Sequence, residues 1–344
     1  MKTTIAISGG GTGGHLAIAK ALMQECQKRG IPCIYIGSTQ GQDRAWFESE
    51  EGFSHRYFLP TQGVVNQRGL GIFKSLLAQL KATFLAYKIL KKHKITHLFS
   101  VGGYSSAPAS FASLLGFIPL FIHEQNAIKG TLNRLLSPFA KKVFGSFEEE
   151  GKNFCATPYP VREEFFSNSR ERVELKTILF LGGSQGAVAI NDFALQIAPL
   201  LHQRGIKIIH QSGERDFERL QNAYRKLGIP VNLFAFSSNL VEKMREADFC
   251  ISRAGASSVW EMCANALPAL YIPYPYAAKN HQFYNALFFS QKGLGLLCKQ
   301  EDLNPQVLEE ILNFPICKAS NSLPSHISPN GAEEILEEIL QPYS

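Results

Sequence analysis

A chain of 344 residues, 45% hydrophobic and 19% charged, has the make-up of a soluble globular protein long enough for two domains, each with its own core. Its longest apolar run, residues 111–122, falls short of the roughly 20 residues a membrane-spanning helix needs and carries Pro119. The formal charge of +6 is uneven, with 18 basic against 9 acidic residues in 1–160 and 17 against 20 in 161–344; an anionic partner, if any, is expected on the first half, and the basic residues are not interleaved with aromatics as nucleic-acid binding would require.

The seven cysteines form no CxxC pair and mostly sit among apolar neighbours, which predicts reduced thiols. The chain starts directly on a strand pattern at residues 3–8, without a charged and then apolar leader, and is read as not exported. That strand runs into GGGTGGH at 9–15, followed by a predicted helix at 16–29 and a second strand at 32–36. Such a glycine loop lets the backbone approach a phosphate or sugar closely while the helix start faces it. A dinucleotide site would also need an acid at the end of the second strand, where this chain has Gly37 and Ser38. The doubly wound fold is kept and an NAD enzyme is not. His15, at the mouth of the loop, is a candidate catalytic base or a helix-start histidine that caps or packs.

Residues 71–94 show a helical pattern with Ile72, Phe73, Leu76, Leu77, Leu80, Phe84, Leu85, Tyr87, Ile89 and Leu90 as the apolar set and Lys74, Lys81 and Lys88 seven residues apart. Either the helix packs its apolar face on the sheet, or that face with its lysines lies on an anionic bilayer. A strand at 95–101 ends in GGYSSAP at 102–108, and a strand at 118–122 ends in HEQN at 123–126. Those four polar residues can serve a ligand or be satisfied within the core. PYPVR at 158–162 stiffens the expected interdomain connection and puts Arg162 at a cleft edge.

The pattern then restarts. A strand at 177–181, the glycine loop GGSQGA at 182–187 and a helix at 188–203 lead to a strand at 206–211 that again lacks an acid at its end. Residues 248–252 read as a buried strand, and RAGA at 253–256 as a tight turn opening a helix at Ser257. Its amides and positive helix end suit a phosphate or sugar hydroxyls, with the Glu261 carboxylate one turn in. A strand at 267–273 and a loop with His281, Gln282 and Asn285 follow, and the helix at 330–340 is expected to pack back on the domain junction. Two strand, glycine loop and helix units about 170 residues apart predict an α/β protein of two Rossmann-like, doubly wound parallel-sheet domains facing a cleft, 1–160 with the C-terminal helix (about 330–344) and 161–329.

GGGTGGH, GGYSSAP, HEQN, PxPVR, GGSQGA, RAGASSVWE and HQFYNA, in this order from residue 9 to 286, resemble the MurG family of bacterial glycosyltransferases (glycosyltransferase family 28). The resemblance covers nearly the whole chain. It implies the two-domain GT-B fold and inverting transfer of N-acetylglucosamine from UDP-N-acetylglucosamine to the muramyl 4-hydroxyl of lipid I in peptidoglycan synthesis. It also implies no DxD-held metal and no other cofactor; the chain has no DxD. The expected setting is peripheral, on an anionic inner-membrane surface at its cytoplasmic face, with other cell-wall synthesis proteins as further partners.

Residue by residue, the resemblance puts the donor mainly on the second domain. Ser184 and its loop would hold the diphosphate, the backbone near Ser237 would read uracil, and Glu261 would take the ribose hydroxyls. Ala256, Ser257, Ser258 and Val259 would contribute turn amides, and Gln282 would meet the sugar. Thr12, Gly13 and Gly14 would approach the donor, Asn126 the sugar and Arg162 the nucleotide, while Tyr104, Glu124 and Asn133 would lie on the acceptor side. His15 is assigned the general base with Glu124 in reserve, and the amides at 183–185 with Arg162 or Arg253 would offset charge on the leaving UDP. The resemblance also favours the membrane-contacting reading of 71–94. Ala254 and Trp260 stand where the family usually has a serine and a small residue. Rival readings are another GT-B UDP-sugar glycolipid synthase, a UDP-sugar epimerase, or a nonenzymatic nucleotide-sugar sensor.

Overall fold

The computed structural model describes residues 3–61, 70–147, 151–182, 186–237 and 239–342, and the side chains of 70–74 are not among those described. Two compact units divide the chain: Met1–Val161 with Asn330–Ser344, and Arg162–Pro329.

In the first unit seven strands form one parallel sheet: β1 (Ile5–Ser8), β2 (Cys33–Ser38), β3 (His55–Leu59), β4 (His97–Ser100), β5 (Leu120–Glu124), β6 (Lys142–Gly145) and β7 (Phe154–Ala156), ordered β3-β2-β1-β4-β5-β6-β7. The inner strands read as unbroken apolar runs because helices cover both faces, and all four residues of β1 are buried. The strand order reverses between β1 and β4, which opens a crevice beyond their carboxyl ends. The loops leaving those two strands touch backbone to backbone. A Cβ on Gly9 would lie 2.4 Å from the Gly102 carbonyl oxygen and one on Gly103 would lie 2.5 Å from that of Gly10, and both glycines hold positive φ (119° and 77°). Any larger residue at either position is excluded by space as well as by conformation.

The helix Leu70–Lys92 buries only part of the apolar set read from its sequence, Leu90 with Tyr87 and Ile89 against the core. Ala82, Ala86 and Leu90 pack with Ala109 and Ala112 of the helix Ala107–Leu115 in the unit's core, and Ser75 and Thr83 are buried too. Leu76, Leu77, Leu80, Phe84 and Leu85 are exposed instead, Leu80 by 67% and Phe84 by 59%. Small residues on both helices, Ala82 and Ala86 against Ala109 and Ala112, allow close approach where they meet.

The helix Gly331–Leu340 lies on the helix Gly13–Lys28 with Ile335, Leu336 and Ile339 buried. Arg29 reaches Glu333 (3.4 Å) and Glu337 (3.3 Å), and Lys142 pairs with Glu338. The end of the chain thus braces the helix that begins at the first glycine loop.

The second unit repeats the plan with six parallel strands: β8 (Thr177–Leu181), β9 (Lys207–Gln211), β10 (Asn232–Phe234), β11 (Phe249–Ser252), β12 (Ala269–Tyr271) and β13 (Gly295–Leu297), ordered β10-β9-β8-β11-β12-β13. Its order reverses between β8 and β11, so the crevice lies beyond the carboxyl ends of those two strands.

Candidate functional site

Each unit carries a half-site at its own crevice. In the first, the helix Gly13–Lys28 starts directly from the glycine loop with Thr12 as an extended N-cap. The Thr12 hydroxyl turns to the His15 ring, 2.9 Å from Nδ1, and the side-chain amide of Gln125, just past β5, stands 2.9 Å from Nε2. A Cβ on Gly102 would lie 3.2 Å from His15 Nε2 and 3.3 Å from Asn133 Nδ2. The absent side chain is what lets those two groups converge. The Tyr104 ring covers Gly11, whose own Cβ would stand 3.2 Å from Cε1. Thr12, His15, Tyr104, Glu124, Asn126 and Asn133, drawn from four stretches of chain, therefore gather beyond β1, β4 and β5, with Gly13 and Gly14 at the helix start.

Glu124 is buried and fully engaged. Its Oε1 accepts from the Asn126 backbone N–H (3.1 Å) and side-chain amide (3.5 Å), and its Oε2 accepts from the Gly130 N–H (2.9 Å) and Asn133 Nδ2 (2.9 Å). Burial pushes its pKa up and these donors pull it back. A carboxylate held by four N–H groups fixes the turn from 126 to 133. His123 is wholly buried with neither ring nitrogen hydrogen-bonded; burial first, and the nearby His15 second, bring it down to about 3, so the ring stays neutral.

Two residues of this half-site were missed by sequence reasoning. Asp43, also buried, accepts the Gly11 N–H at Oδ2 (2.6 Å) and the Ser38 N–H (2.9 Å) and Tyr35 hydroxyl (3.0 Å) at Oδ1. Gly10 and Gly37 would each place a Cβ 2.6 Å from its carboxylate. The Gly11 amide is thus taken by the chain's own anion and is not offered to a phosphate. Gln125 was read only as part of HEQN. A glycine-loop amide implies some acceptor, but nothing local names Asp43, and nothing local ties Gln125 to His15.

In the second unit the helix Ala256–Ala264 is capped by Gly255, which gives its first turn no side-chain acceptor. Ala256 and Val259 are buried, while Ser257 and Ser258 remain partly accessible. Glu261 follows one turn in, enclosed but with some accessible surface, and no donor among the described residues reaches its carboxylate. Burial raises it to about 7; Arg162 draws it down and Glu164 pushes it up. Arg162 itself pairs with Glu164 (2.6 Å) and lies over the Phe165 ring (5.0 Å).

Arg253 gives Nη1 to the carbonyls of Ile272 (3.1 Å) and Pro273 (3.2 Å) and Nη2 to Gln300 Oε1 (2.7 Å), so it fastens the segment after β12. Gln282 Oε1 accepts the Tyr274 N–H (2.9 Å), and buried Asn285 donates to the Ala254 carbonyl (3.1 Å), tying the helix His281–Gln291 to the RAGA turn. That helix is entered through two left-handed residues, Lys279 (φ 51°) and Asn280 (φ 55°), a local strain of the kind found at ligand clamps. The Ser237 hydroxyl caps the Asn239 N–H (3.1 Å) beyond β10. Ser184 and the amides of 183–185 lie outside the described residues.

The sequence pattern described as "Glycosyltransferase family 28 N-terminal domain" matches residues 5–145, and that described as "Glycosyltransferase family 28 C-terminal domain" matches 177–325. A relative from Helicobacter hepaticus, named UDP-N-acetylglucosamine--N-acetylmuramyl-(pentapeptide) pyrophosphoryl-undecaprenol N-acetylglucosamine transferase, is 56% identical over 97% of this chain and 98% of its own. One of the same name from Wolinella succinogenes is 54% identical over 98% and 99%. The crystal structure of Acinetobacter baumannii MurG superposes with a TM-score of 0.81 at 27% identity, covering 98% of this chain and 99% of that one. The UDP-GlcNAc 2-epimerase of Neisseria meningitidis, bound to UDP-GlcNAc, superposes with a TM-score of 0.66 at 14% identity and shares the fold alone.

Proposed function

The chain belongs to glycosyltransferase family 28, and from that premise we infer that it transfers N-acetylglucosamine from UDP-N-acetylglucosamine to N-acetylmuramyl-(pentapeptide)-pyrophosphoryl-undecaprenol. The donor is assigned mainly to the second unit, with Thr12, Gly13, Gly14 and Asn126 of the first, and the acceptor to the first. The observation that carries the donor side is Glu261: an enclosed carboxylate without a donor among the described residues, beside a helix start capped by a glycine. Two vicinal ribose hydroxyls supply the missing donors, and the first-turn amides of the same helix face an anion.

In the transfer the muramyl 4-hydroxyl oxygen bonds to the anomeric carbon as the bond to UDP breaks. The electron pair leaves on the diphosphate and the hydroxyl proton passes to His15. Helix-start amides and the Arg162 guanidinium offset the charge growing on UDP, Arg253 being committed to carbonyls of its own loop. Glu124 acts through the turn it holds, setting Asn126 and Asn133 in place.

Purified protein with labelled UDP-N-acetylglucosamine and a lipid I analogue, in EDTA, is expected to yield the disaccharide lipid; donor bound without turnover would support a nucleotide-sugar sensor instead. Glu261→Gln should weaken UDP binding by roughly tenfold, the worth of one or two hydrogen bonds to a charged acceptor. With Glu261 at about 7, lowering the pH through 7 protonates the carboxylate and removes an acceptor. Donor affinity of the native protein should therefore fall on acidification, and calorimetry on Glu261→Gln should show that dependence flattened. An equal pH response in both proteins argues against a ribose at Glu261.

The exposed face of the helix Leu70–Lys92 is the surface we assign to an anionic bilayer. Lys81 and Lys88 are exposed among its apolar residues, Lys88 Nζ stands 4.5 Å above the Phe84 ring, and the neighbouring helix adds Phe111 and Leu115, with Phe117 96% exposed just beyond. Among the described residues no helix is long and apolar enough to cross a membrane. Lysines near an anionic surface contribute about 1 kcal/mol each. Lys81→Glu with Lys88→Glu is thus expected to cut sedimentation with phosphatidylglycerol vesicles at least tenfold, and unchanged binding rejects the surface. Lys74, the third lysine of the series, has its side chain outside the described residues.

A further inference from the structure

The loop that leads to His15 has little of its own to hold it still. Five of its residues, Gly9, Gly10, Gly11, Gly13 and Gly14, are glycines, and Thr12, the N-cap of the helix Gly13–Lys28, makes no capping bond with its side chain. The restraint comes from residues 41–46, which lie along the loop. A Cβ on Gly41 would stand 2.9 Å from the Gly11 Cα, and one on Gly13 would stand 3.5 Å from Gln42 Oε1 and 3.6 Å from Trp46 Cζ2. Within that segment buried Asp43 takes the Gly11 N–H on Oδ2 at 2.6 Å, a charge-assisted bond, and the Ser38 N–H on Oδ1 at 2.9 Å. The Tyr35 hydroxyl stands 3.0 Å from Oδ1 and 2.8 Å from the Gly9 carbonyl oxygen, which links the carboxylate to the first residue of the loop as well.

We propose that Asp43 is a positioning residue for the base: through the Gly11 amide it sets the path of the loop into Thr12, and with it the place of the His15 ring. A carboxylate suits this task because it accepts at both oxygens at once. An amide of the same shape would turn an N–H towards either Gly11 or Ser38. The surroundings are cut to fit the acid, since a Cβ on Gly10 or on Gly37 would come within 2.6 Å of it. On the opposite side the Gly10 carbonyl oxygen lies against Gly103, whose Cβ would stand 2.5 Å away, so the loop is gripped between the segment after β2 and the loop after β4. The end of β2, where a dinucleotide fold carries an acid for a ribose, here gives an amide to an acid that holds the loop. His15 follows the clamped amide by four residues, about one helical turn, so a shift of the loop is passed directly to the ring.

The inference rests on His15 being the base, so its test is run in two backgrounds. Values of kcat and of both KM are measured with UDP-N-acetylglucosamine and a lipid I analogue for the native protein, Asp43→Asn and Tyr35→Phe, and for each change combined with His15→Asn. Asp43→Asn keeps the volume and strands one of the two amides. It is expected to lower kcat by between about tenfold and 10²-fold, the order of effect of a misplaced reacting group, and by more than either KM rises. Tyr35→Phe leaves the carboxylate in place, removes one bond to it, and should lower kcat by about threefold. Once His15 is asparagine, neither change should alter the residual rate by more than about twofold, because the group they position is gone. A role in folding alone would scale both backgrounds down equally, through the fraction of folded protein. Undiminished kcat in Asp43→Asn, or an equal loss in both backgrounds, overturns the role of Asp43. Near-normal turnover of His15→Asn alone overturns the base assignment instead. Should Asp43→Asn fail to fold, Tyr35→Phe decides by the same comparison.

Discussion

His15→Asn is expected to lose between about 10² and 10⁴ in kcat, the range a positioned general base contributes, while binding of UDP stays within twofold. Asparagine at this site keeps a polar group near Thr12 and Gln125 but has no nitrogen that accepts a proton at neutral pH. The donor KM should barely move, because the groups assigned to UDP belong mainly to the second unit. Glu124→Gln makes the contrast. A neutral amide cannot accept four N–H groups, so the turn holding Asn126, assigned to the donor sugar, and Asn133, assigned to the acceptor, loosens and both KM values rise more than kcat falls. Single-turnover kinetics separate the two. Near-normal chemistry in His15→Asn together with its loss in Glu124→Gln would transfer the base role to the carboxylate.

Much of this geometry is legible in the order of the amino acids. Strands covered on both faces must be apolar along their whole length, so β1, β4, β8 and β11 stand out, and the glycines after them mark where chain segments must approach closely. His15 and Glu261 can be found because they sit on or near those loops and Glu124 because it ends β5 in HEQN, whereas Asn133 is placed only by the family resemblance. Residues whose meaning lies in a distant partner cannot be found in that way. Asp43 is 32 positions from the amide it holds, and Gln125 is 110 from the ring it touches. The helix Leu70–Lys92 shows a different limit. Periodicity finds its apolar stripe, but which face is covered depends on the neighbouring helix, where Ala82 and Ala86 meet Ala109 and Ala112 while Leu80 and Phe84 stay exposed.

Arg172 is the strongest case of such concealment, and its replacement by methionine is expected to destabilise the second unit by about 3–5 kcal/mol. In the sequence it stands in the polar run SRERVELK and reads as solvated, yet the side chain is wholly buried. Its guanidinium donates to the carbonyls of Arg170 (2.7 Å), Met244 (2.9 Å), Ala247 (3.2 Å) and Asn265, and to Asn265 Oδ1 (2.7 Å). Met244 lies in the last turn of the helix Leu240–Glu246, Ala247 caps that helix and Asn265 caps the helix Ala256–Ala264, so one cation meets the negative ends of both, including the helix that carries Glu261. Burial lowers its affinity for the proton, but the group remains charged at neutral pH. Methionine keeps an apolar stem but takes the guanidinium from Asn265 and Arg170, while the Met244 and Ala247 carbonyls each keep one donor, the Ala247 N–H and Arg170 Nη2. In a Trp46→Phe background, the fluorescence of buried Trp260 reports the second unit alone, and its thermal midpoint should drop by roughly 10 °C. Arg172→Lys should recover only part of the loss, since an ammonium cannot span acceptors arranged for a planar fork. A midpoint lowered by less than about 2 °C in the methionine variant would mean that the helix ends are held by packing and that the guanidinium is dispensable.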